Sequence, residues 1–330
     1  MQATKLLLAL LLSTMAALAA KTMEIYFIDV EGGQSTLIVG PSGQAMLFDA
    51  GYPGFSGRDA DRVALAAKNA KVKHLEALLV SHFHSDHMGG VPNLLQRLPA
   101  AVILDHGETI EKTSRDWENY TAVREKAQHR VLKPGDNIAI KGLDITVVAS
   151  AGEHIERPGE ANPFCAGLAA PAPVEPTGPL ENSMSIGIVV QFGKFRFVDL
   201  GDLFPDKEFA LLCPQNRVGK ADLYITTHHG AEQTKALYGM APRVAIMNNG
   251  PKKGGTPDGW RQIKASPGLE DLWQLHFSVA GGKENNAPDS FVANIDDPCE
   301  GKYIKVTASD DGSFTVYNSR NKFTKTYGAH

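Results

Sequence analysis

Cysteine is scarce in this chain, with three in 330 residues. None stands in a CxxC or other zinc-finger spacing, which excludes a thiolate zinc module and a thioredoxin-type redox pair. An odd number allows at most one internal disulfide. Cys165 and Cys299 both lie in Pro- and Gly-rich sequence, so the expected pairing joins those two; three free thiols is the alternative. Positive charge is not in excess either. The 33 Lys+Arg and 37 Asp+Glu give a formal charge of -4, which excludes a polycationic surface that coats nucleic acid but not a local grip on phosphate. The Gly-rich fingerprint of a dehydrogenase or kinase is missing. So is any short-period repeat. A hydrophobic content of 43% excludes wholesale disorder.

Long apolar runs are confined to the first residues. Lys5 precedes the apolar stretch 6–12, and a run of small residues follows with Ala17 and Ala19 at the positions a signal peptidase reads. The run is short for a membrane anchor, and a strand follows almost at once. The expectation is that residues 1–19 leave as a signal peptide. Residues 20–330 then form a single exported domain, periplasmic or secreted, with no membrane anchor after cleavage.

What is present is a strand meander with Gly-rich turns over residues 23–49, a helix over 59–70, and an apolar strand over 75–80 that suits a buried central position. Pro92 opens the next helix, with Leu94, Leu95 and Leu98 on its buried face. Residues 110–130 are expected to be mostly helical. Strands are expected near 101–104, 137–140 and 145–149. A Pro-rich irregular insertion spans about 152–180, the kind of segment that walls a functional site. Strands resume at 185–192 and 195–202, then at 222–227 and 244–247. Short helices are expected at 259–265 and 268–275, and a terminal hairpin at 303–318. The stretch from about 251 reads as a C-terminal elaboration.

The chemistry concentrates in the 11 histidines. His82, His84, Asp86 and His87 fall within six residues, straight after a buried strand and before Gly89-Gly90. A two-residue spacing in extended chain puts His82 and His84 on one side, able to share an ion. Asp86 and His87, at the turn into the helix, can address a second ion beside it. Imidazole with one carboxylate suits zinc and other borderline metals. Asp202 ends a later apolar strand and can bridge two ions; Asp199 is the alternative. One of His228 and His229, after the strand 223–227, closes the second ion, and the other contacts substrate. Asp49 can orient a ligand histidine through its second nitrogen. Lys252, Lys253 and His276 are candidates for holding an anion.

These pieces resemble the metallo-beta-lactamase-fold hydrolases. The matching residues are 25–30, 48–51, 81–90, 200–202 and 227–230. Glu181-Asn182, Ser185, the turn at 40–43 and His228-His229-Gly230 are most similar to the branch that includes the hydrolase domain of DNA-uptake channel proteins. The resemblance implies an α/β fold, a four-layer αββα sandwich, and two divalent ions, zinc or else manganese. It implies His82 and His84 on the first ion, Asp86 and His87 on the second, Asp202 between them, and His228 completing the second. Many members give the first ion a third histidine. Here Asn182 occupies that neighbourhood, and His154 in the preceding irregular segment is the other candidate. An amide oxygen is a weaker ligand than imidazole, so a looser first ion is expected.

A metal-bound hydroxide, oriented by Asp86 with His229 serving the leaving group, then attacks carbon or phosphorus. The expected activity is an exported phosphodiesterase or nuclease. The alternative is a lactone, lactam or other carboxylic-ester hydrolase, with Trp260, Trp273 and Phe277 forming an apolar pocket. A metal-binding protein without catalysis is the third reading.

Overall fold

The computed structural model describes residues 22–173, 180–231 and 233–329. The expected signal peptide, residues 1–19, and residues 174–179 of the insertion lie outside the described residues. Among the described residues, no helix is long and apolar enough to cross a membrane.

Strand alternation builds the architecture. In Met23–Phe27, Met23, Ile25 and Phe27 point to one face, while Tyr26 and the following Ile28 point to the other. Both faces are buried, so this sheet needs a layer on each side. One sheet has nine strands, in the order Thr324–Tyr327, Phe314–Asn318, Ile304–Ala308, Met23–Phe27, Thr36–Val39, Ala45–Phe48, Ala77–Leu79, Ile103–Asp105 and His129–Val131. The second has eight: Val292–Asn294, Asp271–His276, Val244–Met247, Leu223–Ile225, Phe195–Asp199, Gly187–Phe192, Asp144–Ser150 and Glu153–His154. Their inner faces share one core, in which Phe27 meets Phe197 edge to face at 5.7 Å between ring centres. Helices Arg58–Asn69 and Arg115–Arg124 cover the outer face of the first sheet. Helices Pro205–Leu212 and Pro257–Lys264 cover that of the second. Three apolar interfaces separating four layers make this the αββα sandwich typical of the metallo-beta-lactamase fold.

The parallel strands Ala45–Phe48, Ala77–Leu79 and Ile103–Asp105 all deliver their C-terminal ends to one rim. In the second sheet, Leu223–Ile225 and Val244–Met247 do the same. Polar loops gather there, as expected at the carboxyl ends of parallel strands.

Several expected elements differ. Residues 268–275 are not a helix, because Asp271–His276 is a strand paired with Val244–Met247. Leu272, Trp273 and Leu275 are all buried, two on one face and one on the other. A strand covered on both faces loses the period-two signal. The helix expected over 110–130 shrinks to Arg115–Arg124, capped by the Ser114 side chain, and residues 129–131 form an edge strand. Near 137–140 there is only an isolated bridge from Asn137 to Thr146. The disulfide expectation is also corrected: Cys165 pairs with Cys213, and Cys299 is free. Cys213 ends helix Pro205–Leu212, against which the insertion packs, while Cys299 lies beside Asp29 and Arg62 elsewhere in the molecule.

Under helix Pro205–Leu212, burial pushes the Glu208 carboxyl up to about 8, although the Thr234 N–H and the Thr227 hydroxyl pull it down. A carboxyl raised by folding binds more protons in the folded state. Its contribution is therefore complete below the ordinary value of 4.5 and is lost as the pH rises through about 8. Glu208→Gln removes this titration. The unfolding free energy of the variant, relative to the parent and measured by denaturant titration, is expected to climb from about pH 5 to about pH 8, by at most ~1.4 kcal/mol per pH unit. A difference that stays constant across that range contradicts it.

Candidate metal centre

The strand Ala77–Leu79 ends in a turn that carries the first ligand candidates, with helix Ser85–Met88 directly after it. Glycine is required twice in this neighbourhood. A Cβ on Gly90 would collide with the Ala50 carbonyl, and one on Gly33 with the Asp86 carbonyl. These close approaches press the 31–34 loop and the 49–51 turn against the metal loop, where Gln34 N donates to Asp86 O at 3.1 Å and Ala50 N to His87 O at 2.8 Å.

Asp86, His87, Asp202 and His229 are all buried, and their ligand atoms lie within 4.8 Å of one another. Asp86 Oδ2 is 3.1 Å from His87 Nε2 and 3.2 Å from His229 Nε2. Asp202 Oδ2 is 3.3 Å and 3.1 Å from the same two nitrogens. Beside them, His82 Nε2 and His84 Nδ1 approach to 3.0 Å. The far nitrogens are held from behind. Asp49 Oδ2 takes His87 Nδ1 at 2.7 Å, Ser81 Oγ stands 3.0 Å from His82 Nδ1, and Glu111 lies 3.5 Å from His84 Nε2. Ser81 in turn donates both its N–H and its hydroxyl to Asp49 at 2.7 Å.

The electrostatics follow from packing opposite charges out of water. Burial works against a charged Asp86, but His87 and His229 overcome it and hold the carboxyl well below the usual range. Asp202 is held low in the same way, with His229 the larger partner. Burial likewise opposes a charged His87, yet Asp202, Asp86 and Asp49 raise it well above its ordinary value. Around His82 the same Asp202 and Asp86 are outweighed. Burial and the neighbouring His87 push it down, so its ring is neutral and ready to donate a lone pair.

The structure reassigns several residues. The place expected for His228 belongs to His229. His228 Nε2 stands 4.0 Å from Asp202 and 3.3 Å from Asn182 Nδ2, with its ring partly open to solvent. Both histidines have left-handed backbone, φ 50° and 56°, inside the turn Thr227–Gly230. The extended-chain rule that neighbouring side chains point apart does not apply to such a turn. His154 lies on an edge strand and contacts the Ile155 carbonyl and Glu156. Asp199 is turned away and held by Gln34 and Gly201, with burial lifting it to about 7. Lys253 pairs with Asp86, whereas Lys252 pairs with Asp297 at 3.3 Å in an exposed position. His276 is not in this group but meets Asp29 and Cys299 in a second one. Trp273 packs on Phe291 and Phe323 in the core, so it walls no pocket here.

Glu181, to which its sequence context gave no role, supports the site from beneath. It is buried, and accepts from His106 at 2.8 Å, the Thr109 hydroxyl at 3.0 Å, Ile110 N at 3.2 Å and Phe83 N at 3.3 Å. It thereby ties the turn bearing Asn182 to the loop bearing His82 and His84. Its place beside Asn182 was the only available signal.

The donor set fits divalent ions, and two orphaned atoms sharpen the fit. Asp202 Oδ1 and Asn182 Oδ1 are both buried without a hydrogen-bond partner among the described residues. Buried oxygens left unpaired are costly unless something else occupies them. The chemistry and burial of the group suit a borderline metal.

A model of the metallo-beta-lactamase superfamily matches residues 28–160. The chain is similar to hydroxyacylglutathione hydrolase of Citrobacter koseri, 32% identical over 80 residues, which is 24% of this chain and 26% of that protein. It is also similar to ribonuclease Z of Treponema denticola, 29% identical over 170 residues, or 46% and 52% of the two chains. The chain thus spans between about a quarter and about half of these relatives. Among solved structures, the metallo-beta-lactamase fold protein YhfI from Bacillus subtilis is 12% identical with a TM-score of 0.48, covering 77% of this chain and 96% of that one. A diphosphatase from the PhnP family is 12% identical with a TM-score of 0.42, covering 87% and 98%. The chain has the metallo-beta-lactamase fold, with a buried His/Asp cluster suited to divalent metal at its rim.

Asp49→Asn keeps the shape of the residue that orients His87 and removes its charge. Metal retention is expected to fall about 10–100-fold, measured by chelator competition. Retention equal to the parent refutes the orienting role.

Proposed function

We propose that the protein is an exported phosphodiesterase, with nucleic acid among its candidate substrates. The observation that carries this reading is Lys253. Its ammonium sits on Asp86 at the edge of the buried cluster and lies 5.6 Å from the centre of the Tyr52 ring, with one side open to solvent. A cation beside a divalent-metal site favours an anionic substrate over a neutral ester. The resemblance to the hydrolase domain of DNA-uptake channel proteins and the similarity to a ribonuclease Z support the same reading. The Cys165–Cys213 disulfide supports an oxidising, extracytoplasmic location.

In this proposal Asp86, His87, Asp202 and His229 hold one ion. His82, His84, Asn182 and Asp202 would hold the other, the last two through oxygens that have no hydrogen-bond partner among the described residues. Divalent ions in such a pair supply Lewis acidity and a water whose pKa falls to about 7. The chain's own residues do the rest. Asp49 and Ser81 keep His87 and His82 aimed. With Asp86 engaged as a ligand, Lys253, which now pairs with it, would be free to meet a phosphoryl oxygen. Burial lowers the pKa of His228, so its ring is neutral at the rim. There, beside Phe204, it can hydrogen-bond a leaving oxygen, the role first assigned to His229.

A thioester is the second reading, because four of the similar proteins are hydroxyacylglutathione hydrolases. Parallel assays separate the two. Bis(p-nitrophenyl) phosphate is expected to be cleaved, with activity lost on chelation and in His84→Ala. Rapid turnover of a thioester or lactone with no diester cleavage overturns the phosphodiester reading. Lys253→Met is expected to raise KM for the diester about tenfold or more, with a smaller effect on a neutral ester. Equal effects on both substrates remove Lys253 from anion recognition.

A further inference from the structure

Cys299, the free thiol, has company that suits an ion. Its Sγ lies 3.1 Å from Asp29 Oδ2 and 3.4 Å from Glu31 Oε1. A nitrogen of His276 completes a group with Asp29 and Cys299 whose ligand atoms are all within 4.8 Å of one another. His276 is 1% exposed. Its Nδ1 faces the Phe277 carbonyl at 3.0 Å and so carries the proton, which leaves the lone pair on Nε2. That Nε2 is buried with no hydrogen-bond partner among the described residues. A backbone carbonyl fixing one ring nitrogen while the other stays free is the arrangement of a metal-ligating histidine.

We propose that Asp29, His276 and Cys299 form a mononuclear site for a zinc-class divalent ion, separate from the dinuclear centre. Nitrogen, sulfur and carboxylate oxygen are the donors that zinc and its neighbours take in tetrahedral sites. With such bond lengths, ligand atoms stand ~3.5 Å apart, close to the spacings from Cys299 to Asp29 and Glu31. The charges also fit. Arg62 lies 3.8 Å from Asp29 and 3.4 Å from Cys299, and also holds Glu31 at 2.9 Å. Arg58 holds Glu31 at 2.6 Å and Asp59 at 2.7 Å, so two guanidiniums stand against three carboxylates and a thiolate, which leaves room for a divalent cation. Binding displaces the thiol proton to solvent. A cavity of about 400 Å³ that includes Cys299 in its wall gives the ion a route in.

The site joins three distant segments. Asp29 follows strand Met23–Phe27 of the first sheet, His276 ends strand Asp271–His276 of the second, and Cys299 lies in the connection that returns the chain to the first. The ion would fasten the start of the 29–34 loop, whose far end holds the Asp86 carbonyl through Gln34 N. This gives it a structural, positioning part rather than a catalytic one.

Cobalt substitution reads this site directly. The dinuclear group has no sulfur ligand, and the other two cysteines are bonded to each other. A thiolate-to-cobalt charge-transfer band in the near ultraviolet therefore reports Cys299 alone. The full-length protein reconstituted with cobalt is expected to show that band. His84→Ala should keep it, while Cys299→Ser and His276→Gln should lose it. Metal analysis should find one ion fewer in Cys299→Ser than in the parent. Absence of the band from the parent, its survival in Cys299→Ser, or equal metal content overturns the proposal. Hydrolytic activity and the ligand-field bands of the dinuclear centre are read separately, so failure of that centre leaves a distinct signature.

Discussion

Charge that is taken out of water has to be balanced where it lies, and this constraint shapes the rim of the sandwich. Asp86 and Asp202 each face the same two nitrogens, His87 Nε2 and His229 Nε2. Removing one member leaves a buried charge without its counterpart, which costs more than the pair itself contributes. The supporting contacts follow from this need. Asp49 anchors His87, Ser81 anchors Asp49 and faces His82, and Glu181 collects four donors from the loops around them. The polar network is held by geometry that the apolar layers impose from below.

That imposition is visible in the backbone. The ligands come from strand ends, where the chain leaves the sheet and must turn sharply. Asp49, His228 and His229 all adopt left-handed backbone, at a cost of order 1–3 kcal/mol each. Gly33 and Gly90 admit neighbouring carbonyls that any larger residue would exclude. The two sheets share a continuous core, so the loops from both are fixed relative to one another. Strain at the site is thus supported by burial elsewhere, as is common where chemistry is placed on a rigid scaffold.

The C-terminal part is woven into this scaffold. Asp271–His276 and Val292–Asn294 extend the second sheet, and the last three strands extend the first beside Met23–Phe27. Lys253 reaches the cluster from the loop after Val244–Met247. Side chains from both ends of the chain therefore meet around the 29–34 loop. The proposed ion at Asp29, His276 and Cys299 has the same logic as the main cluster. Buried polar atoms from separate segments are brought together and left one partner short.

Some of this was legible without coordinates. His82, His84, Asp86 and His87 occupy a single strand-to-helix turn, so their spacing alone says that they converge. The buried strand before them and the glycines after them mark the turn. Alternation in residues 23–27 likewise betrays a sheet, and the four-layer fold followed from the resemblance. Other features depended on contacts that no local period encodes. His229 rather than His228 enters the cluster because two successive left-handed residues break the alternation of extended chain. Lys253 rather than Lys252 meets Asp86, and Cys213 rather than Cys299 pairs with Cys165, because elements far apart in sequence bring them together. The strand at 271–276 hid its type, because burial on both faces erases the pattern that distinguishes strand from helix. The sequence by itself determined the ligand chemistry and the turn that presents it, since both are local. Only the tertiary structure decided which second-half side chains complete the site, because that depends on backbone handedness and long-range packing.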